Sequence, residues 1–243
     1  MPTLEERQLI EDLIAERLSA VHTRLRRRVM RELGSDLNIN NLSEATWRQL
    51  ATEYRDVLVQ ELEGLFNLSG SQFGDQLGVD FDFINDRAAQ WAREWVDGQL
   101  IPDITGTARI RIEDAVTRFT EGEFDLGTLE RRITSQLGPA RAELIASTEA
   151  TRAAVEGELS VVNELRQEGI ILTPIWRNVQ DRRVCPICFP LEGMKQGTGW
   201  ILPPPAHGRC RCFLVYEVED LPAVASVIKF KFVVGDIIDL RVA

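Results

Sequence analysis

Apolar residues at Ile10, Ile14, Leu18, Val21, Leu25 and Val29 step along the chain by four, four, three, four and four, which sets them on one stripe of an α-helix. Thr3 with Glu6 fits a capping box before the stripe, and Gly34 fits a stop after it. The predicted helix has about 30 residues and is roughly 45 Å long. Such a stripe is longer than a small core covers, so it is expected to lie along a partner helix or another subunit. Ser43 suits the cap of a second helix reaching about Phe66, with Trp47, Leu50, Tyr54, Leu58 and Leu62 as its stripe. Residues 67–85, rich in Gly, Asp and Phe, read as a long connection ordered by Phe73, Phe81 and Phe83. Further helices are expected at 86–101, 107–121 and 126–137.

Gly138-Pro139 opens the clearest element of the second half, with Pro139 at the first helical position and Gly169 as the stop. Leu144, Thr148, Thr151, Val155, Leu159, Val162 and Leu165 form its expected inner stripe. The texture then changes. Residues 170–179 and 211–218 read as strands on either side of a loop rich in cysteine and proline. In the last stretch Ile228, Phe230 and Phe232 alternate with Lys229 and Lys231, and Gly235-Asp236 suits a hairpin turn toward Ile237, Ile238 and Leu240. The fold class predicted is mainly α: a long-helix N-terminal region over 1–137, a small α+β C-terminal module over 138–219 stapled by zinc, and a β-hairpin-like tail over 220–243.

Composition narrows the function. Of 243 residues, 44% are apolar, enough for a real core. No apolar run approaches the ~20 residues of a membrane helix, so no membrane partner is expected. The acidic start, Met1-Pro2-Thr3-Leu4-Glu5-Glu6, has none of a signal peptide's basic and apolar regions, and a cytosolic product is expected. The net charge of −10 argues against whole-surface binding to nucleic acid. The cations are 25 Arg and only 3 Lys, a bias toward interface ion pairs. Arg24, Arg26, Arg27, Arg28 and Arg31 fall within eight residues of the first helix, a candidate patch for nucleic acid or an acidic partner, or else a solvated face.

All four cysteines and one of two histidines lie within 28 residues: Cys185-Pro-Ile-Cys188, then His207-Gly-Arg-Cys210-Arg-Cys212. Two ligands two residues apart, a loop and a second close set is the spacing of a structural zinc site. Reduced thiols in a cytosolic protein favour metal over disulfide. Zinc takes four ligands, and five are available. Either Cys210 and Cys212 compete for one place or His207 stands outside the set. Gly208 is read as allowing a tight turn in the second set, and Leu202-Pro203-Pro204-Pro205-Ala206 as stiffening the approach. Arg182, Arg183, Arg209 and Arg211 flank the cluster and offset thiolate charge. The plainer alternative is a set of reduced, buried cysteines. No base follows at a recognisable spacing, no Gly-rich phosphate loop is present and no nucleophile has a His partner, so an enzyme is not expected. His22, on the Arg-rich helix, reads as a surface or interface residue. Ser147-Thr148-Glu149 and Glu217-Val218-Glu219 only loosely echo motifs of ADP-ribosyl transfer.

The ordered run Ile145-Ala-Ser-Thr-Glu149, Trp176, Cys185-Pro-Ile-Cys188, Leu191-Glu-Gly193 and Pro203-Pro-Pro-Ala-His207-Gly-Arg-Cys210-Arg-Cys212 resembles the C-terminal module of the phage Mu F-like head morphogenesis, or minor head, proteins. It covers about residues 138–216. The resemblance implies a low-copy structural protein of tailed-phage heads that associates with the portal protein. It also implies action in head assembly, genome packaging or DNA delivery, contacts with scaffold or major capsid protein and with packaged DNA, and a place in the virion after a period in the host cytoplasm. A variable helical N-terminal region is usual in that family. The two competing readings are a DNA-binding module using the Arg-rich helix and a zinc-dependent nuclease or toxin-like transferase.

Overall fold

The computed structural model describes residues 4–78, 84–179, 184–220 and 237–238. The protein is mainly helical: α1 (Leu4–Leu33), α2 (Glu44–Leu77), α3 (Ile84–Trp95), α4 (Ile101–Thr120), α5 (Leu126–Gln136) and α6 (Pro139–Gln167). A small antiparallel sheet follows, made by β1 (Ile171–Arg177) and β2 (Phe213–Asp220), with the two-residue β3 (Ile237–Ile238) on the other edge of β2. This is the expected fold class of long helices followed by a small α+β element. Among the described residues no helix is long and apolar enough to cross a membrane. Beyond Asp220 only β3 is described; the hairpin expected around Gly235-Asp236 lies outside the described residues, as do Phe81, Phe83, Arg182 and Arg183.

The chain forms two compact units that interleave along the sequence. One comprises Met1–Ile10, Leu62–Gln90 and Ser147–Ala243; the other comprises Glu11–Glu61 and Trp91–Ala146.

In the second of these, α1 runs antiparallel to α2. Arg17 pairs with Glu61, Arg24 donates to Glu53 at 2.5 Å, and Arg28 donates to Gln49. Gly34 ends α1 with a positive φ of 73°, and the Asn38 amide returns to the Leu33 carbonyl at 3.0 Å. Glu32 ties the turn to the next helix, accepting from the Ser43 amide at 3.0 Å, Thr46 Oγ1 at 2.6 Å and Arg28 at 2.7 Å. Burial alone would raise its pKa, but these donors hold it down at about 2. The α1 stripe is buried within this chain: Ile14, Leu18 and Val29 are wholly inaccessible. Of the two expectations, a partner helix or another subunit, the first holds: the partner is α2 of the same chain. His22 is also a correction, because it is fully buried rather than superficial. Its Nδ1–H donates to the Gly138 carbonyl at 3.0 Å and its Nε2 accepts from Tyr54 Oη at 2.5 Å. Burial lowers its pKa, which keeps the ring neutral.

The break expected between 101 and 107 is absent. Helical backbone continues through a π-turn at Val96–Leu100, where the Ile101 amide reaches the Val96 carbonyl. Pro102 has no N–H, and its ring would crowd a regular helix; the widened turn just before it absorbs both defects.

In the first unit, α2 extends to Leu77 where a connection was expected. Local composition misleads at Gly70. That glycine and Gly157 of α6 mark a place where two backbones meet. A Cβ on Gly157 would stand 2.3 Å from the Phe66 carbonyl oxygen, and one on Gly70 would stand 3.1 Å from the Gly157 carbonyl oxygen. Phe73 and Leu77, beyond the crossing, enter the core with Val155, Val162, Leu172, Trp176 and Tyr216. The α6 stripe is likewise broader than expected. From Glu149 to Leu165 buried residues cover about 240° of the helix at 100° per residue, with Ala150, Ala153, Ala154 and Val161 wholly inaccessible and Leu159 only half-buried. In the sheet, Arg177 faces Phe213, Ile175 faces Val215 and Leu172 faces Val218. Phe213 to Tyr216 are all buried, so β2 is covered on both faces.

Candidate metal centre

The cluster is built on the loop between β1 and β2, and its neighbours explain why the loop holds its shape. The Glu192 carboxylate accepts from the Asn178 amide at 2.7 Å and from Arg177 at 2.8 Å, tying the first knuckle to the end of β1. Gly193, at φ 75°, donates its amide to the Trp176 carbonyl at 2.8 Å, and the Trp176 amide donates to Met194 at 2.9 Å. Residues 193–196 thus run along β1, and a residue other than glycine at 193 would be strained.

In the first knuckle, the Cys188 and Phe189 amides fold back on the Cys185 carbonyl at 3.2 and 3.0 Å, and the Cys188 amide also reaches Cys185 Sγ at 3.3 Å. In the second, the Cys210 amide donates to the His207 carbonyl at 3.2 Å. The left-handed residue of that turn is Arg209, at φ 60°, and not Gly208 as the sequence suggests. Two hydroxyls of α6, one turn apart, carry this second knuckle. Thr148 Oγ1 accepts the Arg209 amide at 3.0 Å, and Thr151 Oγ1 donates to the Cys210 carbonyl at 2.5 Å. Arg7 of α1, only 4% exposed, donates in turn to Thr151 Oγ1.

All five candidate ligands converge. Cys185, Cys188 and His207 form one set and Cys188, Cys210 and Cys212 another, with the ligand atoms of each set within 4.8 Å of one another, and Cys188 common to both. Cys188, Cys210 and Cys212 are buried, while Cys185 and His207 are half-buried. His207 Nε2 lies 2.9 Å from Cys185 Sγ and 3.1 Å from Cys188 Sγ, and the two sulfurs of Cys188 and Cys210 are 3.8 Å apart. Two thiolates on one tetrahedral ion with ~2.3 Å bonds stand about 3.8 Å apart, so that pair fits, while the histidine contacts are those of hydrogen bonds. His207 Nδ1 is 2.7 Å from the Gly208 carbonyl. A carbonyl only accepts, so the proton sits on Nδ1 and the Nε2 lone pair faces the thiols, as a ligating imidazole requires.

Electrostatics point the same way. A hydrogen bond from Cys212 helps hold the Cys210 thiol down at about 5. Burial, and then the charge on Cys210, push Cys188 up to about 12; the hydrogen bond with Cys210, followed by burial, pushes Cys212 up strongly. Crowded sulfurs cannot all ionise without a cation among them. The cluster can therefore hold a metal ion. The cavity beside it is about 20 Å³, lined by Asn178, Val179, Val184, Arg209 and Arg211 besides four of the five candidate ligands, far below the ~300 Å³ at which small-molecule sites begin.

Compared with known proteins, the chain matches no family model, no curated protein and no solved structure.

The other candidates fare differently. Arg24, Arg27, Arg28 and Arg31 share a face of α1, and Arg26 lies on the opposite side, 3.4 Å from Thr134 Oγ1. Arg24 and Arg28 are tied to Glu53 and Glu32, whereas Arg27 and Arg31 are exposed. Thr148 supports the knuckle, Glu149 is buried and paired with Arg152 at 3.3 Å, and Glu217 accepts from Lys195 at 2.5 Å. Thr148, Thr151 and Arg7 were not legible as a metal support. The two threonines interrupt an otherwise apolar stripe of α6, which is the only local signal they leave.

Proposed function

We propose that this protein is a structural minor head protein of the phage Mu F-like kind, a portal-associated component of a tailed-phage head whose C-terminal module is stapled by one zinc ion. The observation that carries this reading is the convergence of the motif run. Thr148 on α6, Trp176 on β1, Leu191-Glu192-Gly193 and the two cysteine knuckles with His207 come from separate elements, and each has a place around one thiol–imidazole cluster. Thiolates with imidazole in a four-coordinate, closed setting suit zinc. A 20 Å³ cavity suits a staple rather than a reaction site. The helices then supply the surfaces for portal, scaffold, capsid or DNA contacts in the virion.

The test is a pull-down of the tagged protein with the portal protein from the same source, with metal content read on the same sample. Portal capture with about one zinc per chain supports the reading. No capture refutes the portal association. Capture without metal refutes the zinc staple and leaves the head role standing.

A further inference from the structure

The metal loop is tied to a segment almost the whole chain away. Arg7 and Thr151 are 144 residues apart, and Thr151 and Cys210 are 59 apart, yet the three form one chain of hydrogen bonds. The direction of that chain is set by chemistry. A guanidinium only donates, so the Arg7 bond takes up a lone pair on Thr151 Oγ1, and the hydroxyl proton must point to a carbonyl. Two are within reach, Ser147 at 2.9 Å and Cys210 at 2.5 Å, and the shorter bond goes to the ligand-bearing residue. Arg7 and Thr151 are both buried, where a misplaced guanidinium or an unmet carbonyl is costly.

We propose that Arg7 and Thr151 are positioning residues for the metal centre, and that metal occupancy and docking of the first two turns of α1 are one coupled equilibrium. The proposal rests on the metal-site reading. With the ion in place, the knuckle at His207 to Cys210 is rigid and its Cys210 carbonyl is aimed at Thr151, which orients the hydroxyl to receive Arg7. When the ion leaves, the carbonyl loses its fixed direction, the hydroxyl swings to Ser147, and the N-terminal turns lose a buried anchor. By reciprocity, anything that pulls on the N-terminal turns weakens the metal site.

The experiment uses the full chain. Zinc content is measured first. Amide hydrogen exchange is then followed, in the zinc-loaded and the chelated protein, on a peptide covering residues 4–14, whose amides from Gln8 onward have helical partners, and on one covering 44–61 as reference. Chelation is expected to speed exchange in 4–14 about tenfold or more while 44–61 changes less than about twofold. Thr151→Val and Arg7→Gln keep all five ligands, so they should still take up zinc. In both, the 4–14 peptide exchanges fast even with zinc bound, and chelation adds less than about twofold. Thr151→Ser restores the wild-type response. If Thr151→Val does not fold, Arg7→Gln carries the same comparison. A wild-type chain that binds zinc but shows no response in 4–14 overturns the coupling alone, as do folded variants that keep the full response. A chain that takes up no zinc overturns the metal reading and this inference with it.

Discussion

Gly157→Ala is a substitution whose sign depends on which of two opposed effects is larger. Alanine is favoured over glycine in a helix interior by about 1 kcal/mol, and at Gly64 of α2 nothing lies within 4 Å of the new methyl. At Gly157 the methyl meets backbone, 2.3 Å from the Phe66 carbonyl oxygen and 3.1 Å from the Gly70 amide nitrogen. No side-chain rotation relieves that contact. The helices must part by about 1 Å, enough to forfeit a quarter to a half of each dispersion contact along the crossing. Overpacking of this kind costs about 1–3 kcal/mol, sometimes more. With a backbone contact this close the cost falls in the upper part of that range and exceeds the propensity gain, so Gly157→Ala should destabilise by about 1–2 kcal/mol net and lower Tm by roughly 2–8 °C for a chain of this size. Gly64→Ala should raise stability by about 0.5–1 kcal/mol. Thermal unfolding of the three proteins followed by circular dichroism at the helix band decides the matter. A Gly157→Ala protein as stable as the wild type would refute the close crossing of α2 and α6.

Leu18→Ala in α1 removes a wholly inaccessible side chain and should cost about 2–5 kcal/mol; denaturant unfolding measures it, and a cost below about 1 kcal/mol would count against its burial in the core and favour the other-subunit alternative. Glu158 accepts from Tyr216 Oη at 2.9 Å in the core, and burial raises its pKa to about 8. A carboxyl raised above its unfolded value near 4.5 stabilises the fold fully below that value and loses its contribution as pH rises through about 8, a fall on the order of 5 kcal/mol. Glu158→Gln should flatten most of that fall between pH 5 and 8.5, the half-buried Glu156, also raised by burial, accounting for the rest; an unchanged slope would show that Glu158 is not buried as a neutral acid. Cys188→Ser removes the ligand common to both ligand sets and should abolish zinc uptake, whereas Cys185→Ser, at the more open edge, should weaken it less; equal zinc content in all three proteins, by elemental analysis, would count against the site.

What could be read in the sequence was whatever is periodic or locally spaced. The α1 stripe, the start of α6 at Pro139, both strands and the five clustered candidate ligands belong to that class. The misses arise from partners distant in the chain. Gly70 looked like a loop residue because the reason for it, Gly157, lies 87 positions on. Residues 102–106 looked like a break because a π-turn cannot be seen in composition. His22 looked superficial among arginines until Tyr54 and Gly138 supplied its partners. Thr151 looked like packing because its hydroxyl serves a carbonyl of another element.

The interleaving of the two compact units sets an order of events during synthesis. The unit of Glu11–Glu61 and Trp91–Ala146 is complete in sequence once residue 146 has left the ribosome, and it can close then. The other needs β2, which begins at Phe213. At ~5–20 residues per second its early pieces wait several seconds for their sheet. Throughout that interval Phe73, Leu77 and the α6 face carrying Val155 and Val162 have no sheet to cover them, so a chain stalled or truncated before residue 213 should be a client of chaperones and proteases even though its other half is already folded.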